Sequence, residues 1–307
     1  MRKSRRFETT YAVEIPELSP DTQQLEIWAP FPCTSLDQEI HSIEVKTSMP
    51  YEVRYDSVYG NAVLHTTASG KYHRSGLDLV ICTQASRYER SVGISRLPSE
   101  AHSAGSAPFR EQLAENRLIR FTPEVLEIAA SIKQLAQAPV DIARAAYNHV
   151  LENMAYDKTG EGWGRGDAQF ACSIGKGNCT DFHSLFLAIV RACGVPGQFE
   201  IGMAFPAGMS AGDITAYKCG YHCWTSFYVP ALGWVPVDCS EAAQKPELRE
   251  YYFGSIDENR FLLSYGRDIE LPGRKSRPPI NFFTEPVVED QDGKRVDYEK
   301  TLTFRNL

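Results

Sequence analysis

The stretch GNCTDFHSLFLAIVRACGVP, residues 177–196, is the most clearly delimited element of the sequence. Between Thr180 and Cys193 its apolar residues recur every three or four positions, the spacing of one face of a helix. Gly194 then supplies a typical C-cap, and Pro196 prevents the helix from continuing. The face itself consists of Phe182, Leu185, Phe186, Ile189 and Val190. We therefore predict a buried helix from about Thr180 to Cys193.

Cys179 lies immediately before this helix, where its thiol would meet the positive end of the helix dipole and unpaired backbone N–H groups. Both features favour thiolate over thiol. The flanking Gly175 and Gly177 would let a substrate carbonyl approach the backbone, and the Cys179 N–H is a candidate oxyanion donor. Cys193, in contrast, lies in the packed part of the helix. Position alone makes Cys179 the candidate nucleophile.

A thiolate nucleophile needs a base, and the base needs a group that orients it. His222 opens the predicted strand CWTSFYV (223–229), and Asp238 ends the next one, GWVPVD (233–238). If residues 230–233 form a hairpin turn, the start of the first strand lies beside the end of the second. Asp238 would then reach the His222 ring. Taken singly, each residue has an ordinary structural explanation; the ordered set favours catalysis.

Four segments carry a resemblance to a known family: Gly177-Asn178-Cys179, Arg191-Ala192-Cys193-Gly194-Val195-Pro196, His222-Cys223-Trp224 and Gly233-Trp234-Val235-Pro236-Val237-Asp238. In kind and in order they resemble the motifs of the transglutaminase-like superfamily of papain-like cysteine enzymes. The resemblance extends strongly from Thr122 to Asp238, and it is similar to bacterial members with an N-terminal β domain. It implies Cys179 as nucleophile, His222 as general base and acid, and Asp238 as the orienting residue.

The resemblance also limits what is expected. Calcium dependence is not implied, because nothing in the sequence looks like an acidic calcium-binding loop. The paired Cys-x-x-Cys zinc motifs of peptide N-glycanases are missing as well. Cys219, His222 and Cys223 lie close together in sequence, but zinc sites usually need a second pair, so we predict no metal and no cofactor.

Upstream of the helices the sequence changes character. Short segments rich in β-branched and aromatic residues alternate with turn residues, which is typical of a β-sandwich or barrel. These segments are 7–15, 25–28, 43–47, 51–55, 62–67 and 77–82. We predict an α+β fold: an N-terminal β domain (1–95), a linker (96–121) and a transglutaminase-like catalytic domain (122–307) with a core at 122–240 and a C-terminal extension.

Three more helix and sheet features fill the predicted core. Thr122 and Pro123 begin a first helix with an N-cap and an N1 proline, and a second helix begins near Pro139. After the helix at 180–193, strand-like runs follow at 199–205, 224–229 and 234–237. Helices that precede an antiparallel sheet indicate an α+β layout.

Composition narrows the function classes. Over 307 residues the formal charge is -7, which argues against a nucleic-acid partner. The longest strictly apolar run, 185–190, is too short to cross a bilayer, and the basic N-terminus lacks the apolar segment of a signal peptide. Eight cysteines without that signal indicate reduced thiols. We therefore expect a cytoplasmic protein with no membrane partner.

Two further segments lie outside these motifs, a glycine-rich loop and an aromatic tail. The glycine-rich loop 160–167 contains Trp163, whose indole N–H is a weaker candidate for oxyanion or substrate binding; a flexible loop with one anchoring aromatic is the simpler interpretation. The aromatic tail after Tyr251 is expected to pack on the catalytic sheet.

The function expected from these features is cysteine-dependent hydrolysis of an amide or peptide bond through a thioester, with a protein or peptide as substrate. The alternatives are transglutaminase-type transfer of the acyl group to an amine, a non-catalytic scaffold or binding protein with the same fold, and redox signalling by Cys179.

Overall fold

The structure is a computed structural model, and it describes residues 2–16, 22–69, 76–94, 109–217, 220–274 and 278–307. The strands of these residues are β1 (Ser4–Ile15), β2 (Gln24–Pro30), β3 (Gln38–Thr47), β4 (Tyr51–Tyr55), β5 (Ala62–Ser69), β6 (Leu77–Tyr88), β7 (Arg90–Ser91), β8 (Ala155–Tyr156), β9 (Lys176–Gly177), β10 (Gly197–Ala204), β11 (Ile214–Tyr217), β12 (His222–Val229), β13 (Gly233–Val237), β14 (Ser255–Ile256), β15 (Arg260–Tyr265), β16 (Val287–Asp290) and β17 (Glu299–Asn306). The helices are α1 (Arg110–Leu113), α2 (Pro123–Leu135), α3 (Pro139–Asn153), α4 (Ala168–Ile174), α5 (Cys179–Ala192) and α6 (Cys239–Gln244).

Two antiparallel sheets form a sandwich that is built mainly from the N-terminal strands β1 to β6. Their strand orders are β11-β17-β1-β6-β3 and β16-β2-β5-β4. Along β1 the residues alternate between buried and more exposed, so that Phe7, Tyr11 and Val13 point inward. These side chains share one core with Ile27 and Leu64 of the opposite sheet. The buried face that β1 contributes to the sandwich follows from the period-two pattern in the sequence.

The end of the chain completes this sandwich. Strand β17 pairs antiparallel with β1, from Phe7↔Asn306 to Glu14↔Glu299. Strand β16 pairs antiparallel with β2 in the other sheet. Both ends of the chain therefore contribute to the same pair of sheets, and part of the predicted C-terminal extension lies with the N-terminal strands. The domain limits at 95 and 121 stay predictions.

The predicted linker falls partly outside the described residues, since 95–108, including the stretch 102–108, is not described. Its described part packs against the rest of the protein. It contains α1 and the fully buried Ile119. The Arg117 Nε donates to Asp268 Oδ1 at 2.6 Å, which ties this segment to the C-terminal extension.

Helix α5 forms the centre of the second half. Every residue from Cys179 to Arg191 is buried. Helices α2, α3, α4 and α6 lie around it, and the antiparallel sheet β13-β12-β10-β15 lies against it. Helix α2 begins after Thr122, whose side chain accepts a hydrogen bond from the Val125 N–H at 3.4 Å. The predicted α+β class, with a papain-like core of helices and antiparallel sheet, is confirmed.

The sheet β13-β12-β10-β15 also contacts the sandwich. Met203 of β10 and Phe261 of β15 belong to the sandwich core, together with Phe205 just after β10. The ring centroids of Phe7 and Phe261 lie 5.6 Å apart in an edge-to-face arrangement. The sandwich therefore supports the strands that carry the candidate site. In the described part of the chain, no helix combines the length and the apolar character that a membrane span needs.

Candidate active site

Helix α5 places Cys179 as its first residue. The Asn178 Oδ1 accepts a hydrogen bond from the Thr180 N–H at 2.9 Å, and the Asn178 N–H donates to Asp181 Oδ2 at 3.0 Å. This reciprocal cap satisfies backbone donors of the first turn. The Asn178 main-chain carbonyl accepts from Asp181 and Phe182. These contacts hold the start of α5, and with it the Cys179 backbone, in a fixed orientation.

The same carboxylate explains why residue 177 is glycine. A Cβ at Gly177 would lie 2.4 Å from Asp181 Oδ2, closer than any real contact of this kind. Asp181 also accepts hydrogen bonds from the Gly164 N–H at 2.7 Å and from the Gly166 N–H at 2.9 Å. One buried carboxylate therefore fixes both the helix start and the glycine-rich loop beside it.

The hairpin of β12 and β13 brings the other two predicted residues together. Pairing runs from Val229↔Gly233 to Thr225↔Val237, so that His222 and Asp238 lie at the same end of the two strands. The His222 Nε2 donates to Asp238 Oδ2 at 2.7 Å. His222 also hydrogen-bonds with the Cys179 thiol. The structure thus brings Cys179, His222 and Asp238 into one contiguous cluster.

The charges of this cluster favour an ion pair. A hydrogen bond with the Cys223 thiol contributes most, and with the hydrogen bond to His222 it outweighs burial, so the pKa of Cys179 lies well below its usual range. Burial opposes the charged form of His222, but the Asp238 carboxylate and the hydrogen bonds raise its pKa to about 10. Between these two pKa values, Cys179 is a thiolate and His222 an imidazolium.

Asp238 is fully buried, and it is held from several sides. As the N-cap of α6 it accepts hydrogen bonds from the Glu241 N–H and the Ser240 hydroxyl, both at 2.9 Å. The Arg260 Nη2 donates to its Oδ2 at 3.2 Å. Burial opposes ionisation, but the neighbouring His222 imidazolium holds the pKa of Asp238 well below its usual range. The orienting residue is therefore a fixed carboxylate, not a freely rotating one.

A second cysteine–histidine pair lies beside the first, and the sequence did not indicate it. The Cys223 thiol hydrogen-bonds with Cys179, and its sulfur lies 3.2 Å from His183 Nδ1. His183 Nε2 accepts from the Cys239 N–H at 3.1 Å and also lies 3.4 Å from Asp238 Oδ1, so Nδ1 is the ring nitrogen that faces Cys223. Burial and the neighbouring Cys179 raise the pKa of Cys223 well above its usual range. Cys223 is therefore an S–H donor to the Cys179 thiolate.

The tryptophan of the His-Cys-Trp motif connects the site to the sandwich. The Trp224 Nε1 donates to Glu200 Oε2 at 2.8 Å on the neighbouring strand β10. The Arg87 guanidinium carbon lies 5.5 Å from the centroid of the Trp224 ring, and Arg87 Nη2 donates to Asp37 Oδ2 at 2.8 Å. A buried ion pair of the sandwich therefore packs on the strand that carries His222.

Trp163 was the weaker sequence-based candidate, and the structure does not bring it into the cluster. Its Nε1 donates to the Gly160 carbonyl at 3.1 Å, within its own loop. The indole N–H therefore serves as a loop contact, as the simpler interpretation expects. Of the possible zinc ligands, Cys219 lies outside the described residues, whereas His222 and Cys223 both contact Cys179.

Arg267 is a further residue that sequence reasoning left without a role. Its buried guanidinium donates to the Ser184 hydroxyl at 2.7 Å and to the Gly166 carbonyl at 3.1 Å. It also donates to Asn281 Oδ1 at 2.8 Å. Burial lowers the pKa of Arg267 to about 10. This side chain joins the C-terminal extension, the glycine-rich loop and α5. It therefore helps to hold the loop and the helix that surround the site in place.

Comparisons with known proteins show what the sequence and the fold of this chain are similar to. Residues 126–239 match the model of the Transglutaminase-like superfamily. This segment contains Cys179, His222 and Asp238, so the resemblance recognised from the sequence is confirmed: this part of the chain is similar to the transglutaminase-like core.

Particular relatives cover more of the chain. A protein of Haemophilus influenzae, described as uncharacterised, is 25% identical over 314 residues, which covers 92% of this chain and 85% of that protein. The crystal structure of a proposed cysteine protease from Cytophaga hutchinsonii shares the fold with a TM-score of 0.59 and 13% identity, covering 99% of this chain and 98% of that chain. The periplasmic domain of TgpA from Pseudomonas aeruginosa gives a TM-score of 0.35 and 15% identity, covering 78% and 90%.

Proposed function

We propose that this protein is a cysteine hydrolase that cleaves an amide or peptide bond through a thioester intermediate. One observation carries the proposal: the Cys179 thiol at the start of α5 hydrogen-bonds with His222, and His222 Nε2 lies 2.7 Å from the buried Asp238 carboxylate. A nucleophile, a base and an orienting group in hydrogen-bond contact are the elements that acyl transfer requires.

The chemistry follows from the charges of these groups. The Cys179 thiolate attacks the carbonyl carbon, and the negative charge that develops on the oxygen is stabilised by the Cys179 N–H at the start of α5. The His222 imidazolium donates its proton to the leaving amine, which produces the thioester. His222, now neutral, accepts a proton from water as the water attacks the thioester. Asp238 keeps the ring oriented through both steps.

Substrate and location are further parts of the proposal. A protein or peptide is the substrate class that we propose, because the likeness to a proposed cysteine protease extends over almost the whole chain. We propose a cytoplasmic location, since the seven described cysteines are free thiols, as a reducing compartment would keep them. Cell fractionation with an antibody against the full chain tests the location directly.

A generic acyl donor tests the mechanism without knowledge of the substrate. With p-nitrophenyl acetate, the wild-type chain should release a burst of p-nitrophenolate equal to the enzyme concentration and carry an acetyl group on Cys179, shown by mass spectrometry. Cys179→Ala should show neither. Faster deacylation with added methylamine than with water alone would favour acyl transfer instead of hydrolysis. A wild-type protein that gives no burst and no acetylated Cys179 would favour the scaffold.

A further inference from the structure

Cys223 is a buried nucleophilic side chain for which the proposed hydrolysis has no covalent use. It is fully buried, whereas Cys179 retains 3% exposure. Its sulfur lies 3.2 Å from His183 Nδ1, which stands one helical turn after Cys179 on α5, and its position on β12 is fixed by pairing with Ile201 on β10. The chain therefore holds two buried thiols close together, and Cys179 is the more reactive of the two.

The two sulfurs have different neighbours, and we therefore expect them to react differently. Cys179 and His183 lie four residues apart on α5 and hence on one face of the helix. His183 Nδ1 lies 3.2 Å from Cys223 Sγ, where a proton on that nitrogen stabilises negative charge on the sulfur. Cys223 in turn donates its S–H toward Cys179. Cys223 can therefore pass its proton toward Cys179, and His183 can stabilise the negative charge that this leaves on Cys223.

We propose that Cys179 and Cys223 form a reversible thiol-oxidation site, in which Cys223 resolves the oxidised nucleophile as an intramolecular disulfide. The oxidant is hydrogen peroxide. The Cys179 thiolate attacks one peroxide oxygen, the O–O bond breaks, and the products are Cys179 sulfenic acid and, after protonation, water.

The second step releases another water. The Cys223 sulfur attacks the Cys179 sulfur, the S–O bond breaks, and the Cys223 thiol proton leaves with the departing hydroxide. His183 Nδ1–H stabilises the charge that develops on Cys223 during the attack. The two sulfurs must approach each other to about 2.05 Å. A dithiol reductant returns both thiols, so the site protects the nucleophile from irreversible oxidation.

The experiment uses the full chain, reduced and then exposed to excess hydrogen peroxide. Non-reducing tryptic mapping should yield a disulfide that joins peptide 177–191, in which Cys179 is the single cysteine, to peptide 219–249. Fragment spectra should assign the partner within that peptide to Cys223, since the peptide also contains Cys219 and Cys239. Dithiothreitol should restore nearly all iodoacetamide labelling of Cys179.

Cys223→Ser retains a hydrogen-bond donor but has no sulfur, so its Cys179 should proceed to sulfinic acid and lose the dithiothreitol-dependent recovery. Cys239→Ser is the matched control, a buried thiol in the same tryptic peptide, and it should recover as the wild type does. Recovery of Cys223→Ser at the wild-type level would overturn the proposal. A wild-type disulfide from Cys179 to Cys219 or Cys239, or direct sulfinic acid formation, would overturn it as well.

This test is independent of the proposed hydrolysis, because it measures labelling and linkage of cysteines and needs no turnover. If Cys223→Ser does not fold, the disulfide map of the wild type and the recovery of its Cys179 labelling with dithiothreitol still test the proposal. A disulfide without a p-nitrophenolate burst would leave this inference standing and overturn the proposed function alone.

Discussion

Arg260 and His222 contact the same oxygen of Asp238. The Arg260 Nη2 lies 3.2 Å from Asp238 Oδ2, and the His222 Nε2 lies 2.7 Å from it. All three side chains are buried, and Arg260 also pairs with Asp257 at 3.3 Å. Two positive groups on one carboxylate keep it ionised, but they also repel each other. Arg260 therefore adjusts the charge of the histidine from the far side of the carboxylate.

Replacing Arg260 should separate these effects. Arg260→Gln removes the arginine that pairs with both Asp238 and Asp257, and loss of one partner of a buried ion pair costs about 3–5 kcal/mol of unfolding free energy. Because Arg260 lowers the pKa of His222, its removal should move that pKa above about 10. Urea unfolding and NMR titration of His222 measure the two effects.

Arg274→Gln is the control, because it breaks a buried pair with Glu289 away from the site. It should lower the unfolding free energy and leave the His222 titration unchanged. An equal shift of the His222 pKa in both variants would contradict this account.

Asp238→Asn should disable the base while keeping the helix cap. Asparagine still accepts from the Glu241 N–H, but burial now dominates, so the pKa of His222 should fall below about 10. In the pH profile of the burst rate, the fall on the alkaline side should therefore occur at lower pH. The burst rate at pH 7 should decrease by roughly 10²–10⁴-fold. Stopped-flow kinetics with p-nitrophenyl acetate measures both. Asp257→Asn, which changes the other carboxylate on Arg260, is the control and should retain the alkaline limb of the wild type.

Cys223→Ala should weaken the nucleophile, because the Cys223 thiol is the largest influence that lowers the pKa of Cys179. A hydrogen bond to a charged group is worth about 1.5–3 kcal/mol, and S–H is a weak donor, so the acid limb of Cys179 alkylation should move up by about 1 pH unit. Cys223→Ser, which retains a donor, should show a smaller shift. Iodoacetamide labelling across pH distinguishes them; equal profiles in wild type and Cys223→Ala would mean that this contact is without consequence.

Gly177→Ala should disturb the start of α5. The added Cβ would lie 2.4 Å from Asp181 Oδ2 and displace the carboxylate that caps the helix. Loss of a cap costs about 0.5–2 kcal/mol. Gly194→Ala is the control, since it places a Cβ in open space at a φ of +88° and carries only the backbone strain. We expect Gly177→Ala to lower the unfolding free energy more and to slow Cys179 alkylation, whereas the opposite order would exclude the capping role of Asp181.

The resemblance to a known family assigned the three residues of the cluster, and each of them also lies on an element that a local sequence pattern predicts. The cap and the apolar face of α5 fix Cys179 at a helix start. The length of the β12–β13 turn fixes which residues lie opposite each other, and so places Asp238 near His222. The alternation in β1 likewise indicated a strand with one buried face.

The remaining features depend on contacts between distant segments. Strand β17 pairs with β1 from the opposite end of the chain, which no local pattern encodes. Arg260, His183 and Cys223 were not identified, since an arginine on a strand or a histidine in an apolar helix face has an ordinary structural explanation until its neighbours are known. Their roles follow from the contacts with Asp238 and Cys179 alone.

The most direct test of the central claim is the pH dependence of Cys179 alkylation by iodoacetamide, measured by mass spectrometry of peptide 177–191 in wild type and His222→Ala. The lowered pKa of Cys179 predicts fast labelling of the wild type well below the ordinary thiol pKa of about 8.5. Without the His222 imidazolium the thiolate loses its ion-pair partner, so the acid limb should move to higher pH. An ordinary thiol profile that is the same in both proteins would contradict the account.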